Sequence, residues 1–140
     1  ADLANTAVQK IALADPQSVP VGVYAKQALT RLKLWEQLES KIAGAANVRQ
    51  SLQFVETGAA EAGIVYATDA AAFTQVRVAA KIDPALSDPI RYPLALLKTK
   101  SPHTAAVAWY EFLQSPAAAK VFTQAGFECL TQKTPATAKK

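Results

Sequence analysis

The chain has 140 residues, 51% hydrophobic and 19% charged, enough to bury one sizeable core and too few for two independent ones. Its formal net charge is +4, but Lys133, Lys139 and Lys140 in an acid-free tail supply three of those charges, which leaves +1 for the body. That balance, with basic residues scattered and no aromatic interleaving, argues against a nucleic-acid partner, and apolar runs fall well short of the ~20 residues that a transmembrane helix requires.

In chain order, Ala12 to Ala14 reads as a buried strand. It leads into Asp15-Pro16-Gln17-Ser18-Val19-Pro20-Val21-Gly22, where a proline precedes a helical pattern and a glycine occupies its first turn. The N–H groups of Val21 and its neighbours are left open there, and such groups attract anions. From Gly22 to about Leu32, apolar Ala25, Ala28, Leu29 and Leu32 recur at i, i+3, i+4 and i+7 and predict a helix. Leu34, Trp35, Leu38 and Ile42 form a second helical stripe that stops at Gly44, read as a C′ glycine, with Trp35 as a packing anchor. Asn47 is a good N-cap for a third helix running to Glu56 and ended by Gly58, and Val48 offers another uncommitted first-turn N–H.

Ala62 to Tyr66 reads as a strand, its apolar Gly63-Ile64-Val65-Tyr66 run buried and ending in a phenol. Val76 to Ile82 and Tyr92 to Lys98 are predicted as further strands. Ser101-Pro102 and Ser115-Pro116 each pair a serine N-cap with proline at the first helical position, and so predict two more helices. His103 then falls in the first turn of one, and the other ends at Gly126. Residues Thr131 to Lys140, rich in Thr, Ala, Pro and Lys, read as a flexible tail. Alternating strands and helices predict an α/β fold, an open sheet with flanking helices.

Candidate chemistry is sparse. Cys129 is the only cysteine, which rules out an intrachain disulfide and leaves a metal-thiolate site without partners; it is expected as a small packed side chain. His103 is the only histidine, no G-x-S-x-G occurs, and Asp15 and Asp69 read as turn caps after strands. An enzyme, a site for a free metal cation and a cofactor are all unexpected. Any one helix start with free N–H groups is ordinary architecture. The order of the three segments is what carries weight.

In that order and wording the chain resembles the periplasmic molybdate-binding proteins that serve ABC transporters. Ile11 to Lys26 is similar to that family's strand, DPxxVPxG loop and helix; Ala46-Asn47-Val48-Arg49 resembles its second anion-binding helix start, and Ala62 to Ala70 its GIVYxxDA segment. The likeness runs from about Lys10 to Leu130 and departs at Val21, where a smaller residue is common. It implies backbone N–H donors at Val21 and Val48 and a hydroxyl donor at Tyr66, holding molybdate or tungstate as an oxyanion without a further cofactor.

The resemblance also implies a type II periplasmic-binding-protein fold with one lobe nearly complete and part of the other. Residues 1–88 would carry the anion-binding motifs, 89–130 would return to the first lobe, and 131–140 would form the tail. A family half bearing two serine loops has no counterpart here. Function is then expected as the substrate-binding component of a molybdate ABC transporter, with a membrane permease as partner. The alternative is an effector-sensing domain of a transcription regulator with a related two-lobed fold. A periplasmic location with a signal peptide upstream of Ala1 is expected, as is self-association through apolar surface left uncovered.

Overall fold

The computed structural model describes residues 2–98 and 103–130. One compact unit extends to Arg91, and a second begins at Tyr92.

The first unit is organised by strand β1 (Ile11–Ala14), whose four residues are fully buried. Helix α1 (Pro20–Arg31) follows, then one turn of helix α2 (Trp35–Leu38), strand β2 (Ile42–Ala45), helix α3 (Val48–Glu56), strand β3 (Ala62–Ile64) and the short helix α4 (Ala67–Ala70). The sheet has the order β2-β1-β3 and is parallel throughout. Ile11 lies opposite both Ile42 and Ala62, and Leu13 opposite Gly44 and Ile64.

Alternation of large and small residues along these strands assigns the two faces. Ile11, Leu13, Ile42 and Ile64 share one face, where Ile11 clusters with Leu29 of α1 and with Leu38, flanked by Leu34 and Trp35. Ala12, Ala14, Ala43, Ala45 and Gly63 share the other, and these small residues let α3 approach closely. A Cβ at Gly63 would sit 2.9 Å from Val55 Cγ2 of α3. On the large-residue face, Lys41 Nζ donates to the carbonyls of Leu3, Ala4 and Asn5 at 3.3, 3.3 and 2.8 Å, fastening the N-terminal 3-10 turn whose Leu3 and Ala4 pack on the core.

Helix α1 ends in a Schellman-type reversal. Leu34 N–H donates to Leu29 O and Lys33 N–H to Thr30 O, with Lys33 in the left-handed region at φ 58°. This reversal carries the chain out of α1 and leaves Leu32, predicted in the apolar stripe, at the helix C-cap and 46% exposed.

Several sequence expectations are corrected. The stripe Leu34 to Ile42 is not one helix: α2 gives way to a 3-10 turn, and Ile42–Ala45 pairs with β1, so Gly44 is a strand residue and not a helix C′. The reason is that the buried backbone of β1 needs partners on both sides, a demand stronger than a helical period. Strand β3 stops at Ile64 and is only partly covered, with Gly63 exposed, so the predicted buried run ending at Tyr66 is too long and too buried. Val76 to Ile82 and Tyr92 to Lys98 form no strand; among the described residues no neighbouring strand pairs with them, and β-propensity without a partner makes no sheet. Asp69 lies inside α4 rather than capping a turn.

In the second unit, helices α5 (Thr104–Leu113) and α6 (Pro116–Gln124) are present. Ser115 caps α6 by accepting from Ala118 N–H, as predicted, and Gly126 follows with φ 88°. Ser101 and Pro102 lie outside the described residues, as does the tail from Thr131; His103 is the N-cap of α5, one position before its first turn. Phe127 packs edge-on to Tyr92 and Phe122 at centroid distances of 5.8 and 6.3 Å. Cys129 is exposed, contrary to its expected packing.

Close approach of α1 to the sheet rests on Gly22. A Cβ there would overlap the Ala14 carbonyl oxygen and lie 2.8 Å from the Asp15 carbonyl carbon, both backbone atoms that cannot swing aside. Gly22→Ala is therefore expected to destabilise the fold by roughly 1 to 3 kcal/mol, the usual cost of overpacking. Gly44→Ala, where a Cβ meets nothing within 4 Å, should stay within about 0.5 kcal/mol of the parent. Urea denaturation followed by circular dichroism checks both.

Candidate functional site

Because all three strands run parallel, their carboxyl ends lie along one edge of the sheet, and each ends just before one of the singled-out residues. Ala14 leads through a five-residue loop, 15–19, to Pro20 and Val21 at the start of α1; Ala45 leads to Asn47 and Val48 at the start of α3; Ile64 leads to Val65 and Tyr66. The ladder reaches past the strands, with Asp15 N–H donating to Ala45 O at 3.0 Å, which holds the first loop beside the end of β2. The chain passes from β1 to β2 on one side and then across to β3 on the other. Such a reversal opens a crevice outside the strand ends, the usual ligand position in open α/β sheets.

The first loop disposes of its N–H groups in a definite order. Asp15 Oδ1 accepts from Gln17 N–H at 2.9 Å, and Oδ2 from the Ser18 hydroxyl at 2.6 Å. The Asp15 carbonyl accepts from Ser18 and Val19 N–H, and the Val19 carbonyl from Gly22 and Val23. Pro20 has no N–H to offer. Among the described residues nothing accepts from Val21 N–H, so the first free donor of this segment is the predicted one.

The second start repeats this accounting with different residues. Asn47 Oδ1 accepts from Gln50 N–H at 3.0 Å, the Asn47 carbonyl accepts from Ser51 N–H, and Gln50 Oε1 reaches back to Ala46 N–H at 2.6 Å. Val48 N–H and Arg49 N–H stay uncommitted among the described residues. Sequence reasoning had found Asn47 and missed Gln50, although its position three residues after the cap is the capping-box signal. Tyr66 is the N-cap of α4 and half-buried.

Glu61 is a further positioning residue without local signal. Its Oε2 accepts from Lys10 N–H at 2.7 Å and Gln9 N–H at 3.1 Å, tying the chain before β1 to the chain before β3. Those bonds, the one from Lys10 foremost, hold the Glu61 carboxyl below the usual glutamate range. The Asp15 carboxyl is likewise held below the aspartate range, first by the Ser18 hydroxyl and then by Gln17 N–H.

The strand-end edge thus offers neutral donors and no free carboxylate from Asp15, both of whose oxygens are engaged. Among the described residues no cluster of His, Cys, Asp and Glu is arranged to hold a metal ion. A shallow groove of about 320 Å³, lined by Pro16, Val23, Lys26, Gln27, Thr30 and Arg31, runs along α1 rather than across the strand ends. Lys26 in its wall is engaged, its ammonium 4.7 Å from the centroid of the Trp35 ring.

The fold and the sequence together place this chain in a known class: it belongs to the bacterial extracellular solute-binding proteins, whose family model matches residues 1–128. Over 118 residues it is 39% identical to the molybdate-binding protein ModA of Escherichia coli, an alignment covering 84% of this chain and 46% of ModA. A solved substrate-binding domain from Clostridium difficile, assigned to a molybdenum ABC transporter, superposes with a TM-score of 0.80 at 35% identity, covering 92% of this chain and 56% of that one. The periplasmic molybdate-binding protein of Azotobacter vinelandii gives a TM-score of 0.67 at 26% identity, with 91% and 57% coverage. The chain spans about half the length of the curated relatives it matches.

Acid should loosen the first loop. Since folding lowers the Asp15 pKa, its hydrogen bonds stabilise the loop fully above the unfolded aspartate value, and that contribution is lost as pH falls through the lower folded value. Carbon-detected NMR titration is expected to show the Asp15 midpoint below that of a free aspartate, and Ser18→Ala should raise it. A midpoint at the ordinary value in the parent would contradict this hydrogen-bond arrangement.

Proposed function

We propose that this chain is part of the substrate-binding component of a molybdate or tungstate ABC transporter. The observation that carries the reading is the convergence of three donor-bearing segments at the carboxyl edge of one parallel sheet. Val21 and Val48 would present backbone N–H groups at the starts of α1 and α3, and Tyr66 its hydroxyl, to a single tetrahedral oxyanion. Helix N-termini favour negative charge without a formal cation, so the anion is held by aligned dipoles and hydrogen bonds. The names of the relatives support molybdate as ligand and an ABC permease as the acceptor of the loaded protein. They likewise support a periplasmic place of work.

Selectivity follows from a site that only donates. Molybdate, tungstate and sulfate arrive fully deprotonated near neutral pH, whereas phosphate retains a proton that needs an acceptor once buried. An unmatched buried polar group costs ~1 to 3 kcal/mol, about one to two decades of affinity against phosphate. Discrimination between molybdate and the smaller sulfate falls to the dimensions of the closed cavity.

Amide NMR of the labelled chain during molybdate titration is expected to shift Val21 and Val48 first, with phosphate at equal concentration producing smaller changes. Tyr66→Phe should weaken molybdate about ten-fold or more, the value of one hydrogen bond to a charged group. Unmoved Val21 and Val48 amides, or equal responses to the two anions, would overturn the assignment.

A further inference from the structure

Beyond the sheet, residues 74–91 run without a strand to pair with and carry one short 3-10 turn, Pro84–Leu86. That turn is internally fixed. Asp83 Oδ1 accepts from Ala85 N–H at 2.9 Å, and the Asp83 carbonyl from Leu86 N–H. The turn and Asp88, two residues beyond it, dock on the second half of α1 through the side chains of Gln27 and Arg31. Gln27 clasps Asp88 from both sides: Gln27 Nε2 donates to Asp88 Oδ2 at 2.8 Å, and Asp88 N–H donates to Gln27 Oε1 at 2.9 Å. One turn further along the helix, Arg31 donates to Ala85 O at 2.9 Å and to Asp88 Oδ1 at 3.2 Å.

Among the described residues, these four bonds are the hydrogen bonds that tie residues 74–91 to the rest of the first unit. We propose that Gln27, Arg31 and Asp88 form a releasable latch that pins the strap of residues 74–91 on the second half of α1. With the latch closed, the chain of the first unit is anchored on α1 as far as Asp88. With it open, residues 74–91 lose these hydrogen bonds to α1.

The chemistry suits opening without unfolding. Arg31 and Asp88 side chains are 46% and 63% exposed, so their ion pair is weak and screened by salt. The clasp is made of side chains on the surface of α1, away from the buried residues Ala25, Ala28 and Leu29 that seat the helix on the sheet. None of Gln27, Arg31 and Asp88 belongs to the buried core.

Trypsin reads the state of the strap, because Arg77, Lys81 and Arg91 are exposed within it. Cleavage at Arg77 and Lys81, which lie before the latch, is expected to accelerate about ten-fold in Asp88→Ala while cleavage at Arg91, beyond it, changes little, in keeping with the loss of several exposed hydrogen bonds and one ion pair. Asp88→Asn keeps the backbone half of the Gln27 clasp and loses the charge, and should fall between the two. Hydrogen exchange at residues 11–14, read in the same samples, is expected to stay at the parent rate. Equal cleavage rates in Asp88→Ala and the parent would overturn the latch, and so would exchange at 11–14 rising in step with cleavage, since that reports global destabilisation.

Discussion

Everything in the first unit depends on pairing the backbone of one four-residue strand. Ile11 to Ala14 are fully buried, so each N–H and C=O there must find a partner inside the protein or cost as much as a lost hydrogen bond. β2 and β3 meet that demand from either side, and both run parallel to β1. Parallel pairing in turn requires crossover connections, which α1 with α2 and then α3 provide. A strand order with the first strand in the middle makes the two crossovers diverge, and alternation of Ile and Leu with Ala and Gly decides which helix each face can accept.

The candidate site is a by-product of that arrangement before it is anything else. Parallel strands deliver every following loop to the same edge, and every helix that starts there points its free N–H groups toward it. What distinguishes this edge is local bookkeeping. Asp15 and Ser18 consume the donors of the first loop up to Pro20, and Asn47 with Gln50 consumes those around the second start, so the remaining donors are few and fixed in place. Pre-committed neighbours keep such a site rigid, and a site made of neutral donors reads the protonation state of its anion rather than its charge alone.

Helix α1 links the strand-end edge to the segment that leaves the unit. Its N-terminus is pressed against the end of β1 through Gly22, and its C-terminal half carries Gln27 and Arg31, which hold the segment that leaves the unit. With a rise of about 1.5 Å per residue, these regions are separated by roughly 10 Å along one rigid element. A single helix thereby positions a candidate donor and the exit of the chain.

The sequence by itself determined the local pieces: the stripe of α1 as far as Leu29, the caps at Asn47 and Ser115, the glycine stop at Gly58 and the positions of Val21 and Val48 at helix starts. These are decided within a turn or two of chain, by proline geometry, side-chain caps and left-handed glycines, and neighbours in sequence suffice to read them. Strand identity was another matter. Ile42 closes a helical stripe in the sequence and Gly44 reads as its stop, yet both lie in a strand because β1 needs a second neighbour, while Val76 to Ile82 has the pattern of a strand and no neighbour among the described residues. The Glu61 clamp and the Gln27 and Arg31 latch join residues more than fifty positions apart, and nothing local marks them. Tertiary structure alone decided which edge the donors share, because pairing and register are satisfied between distant segments and not along the chain.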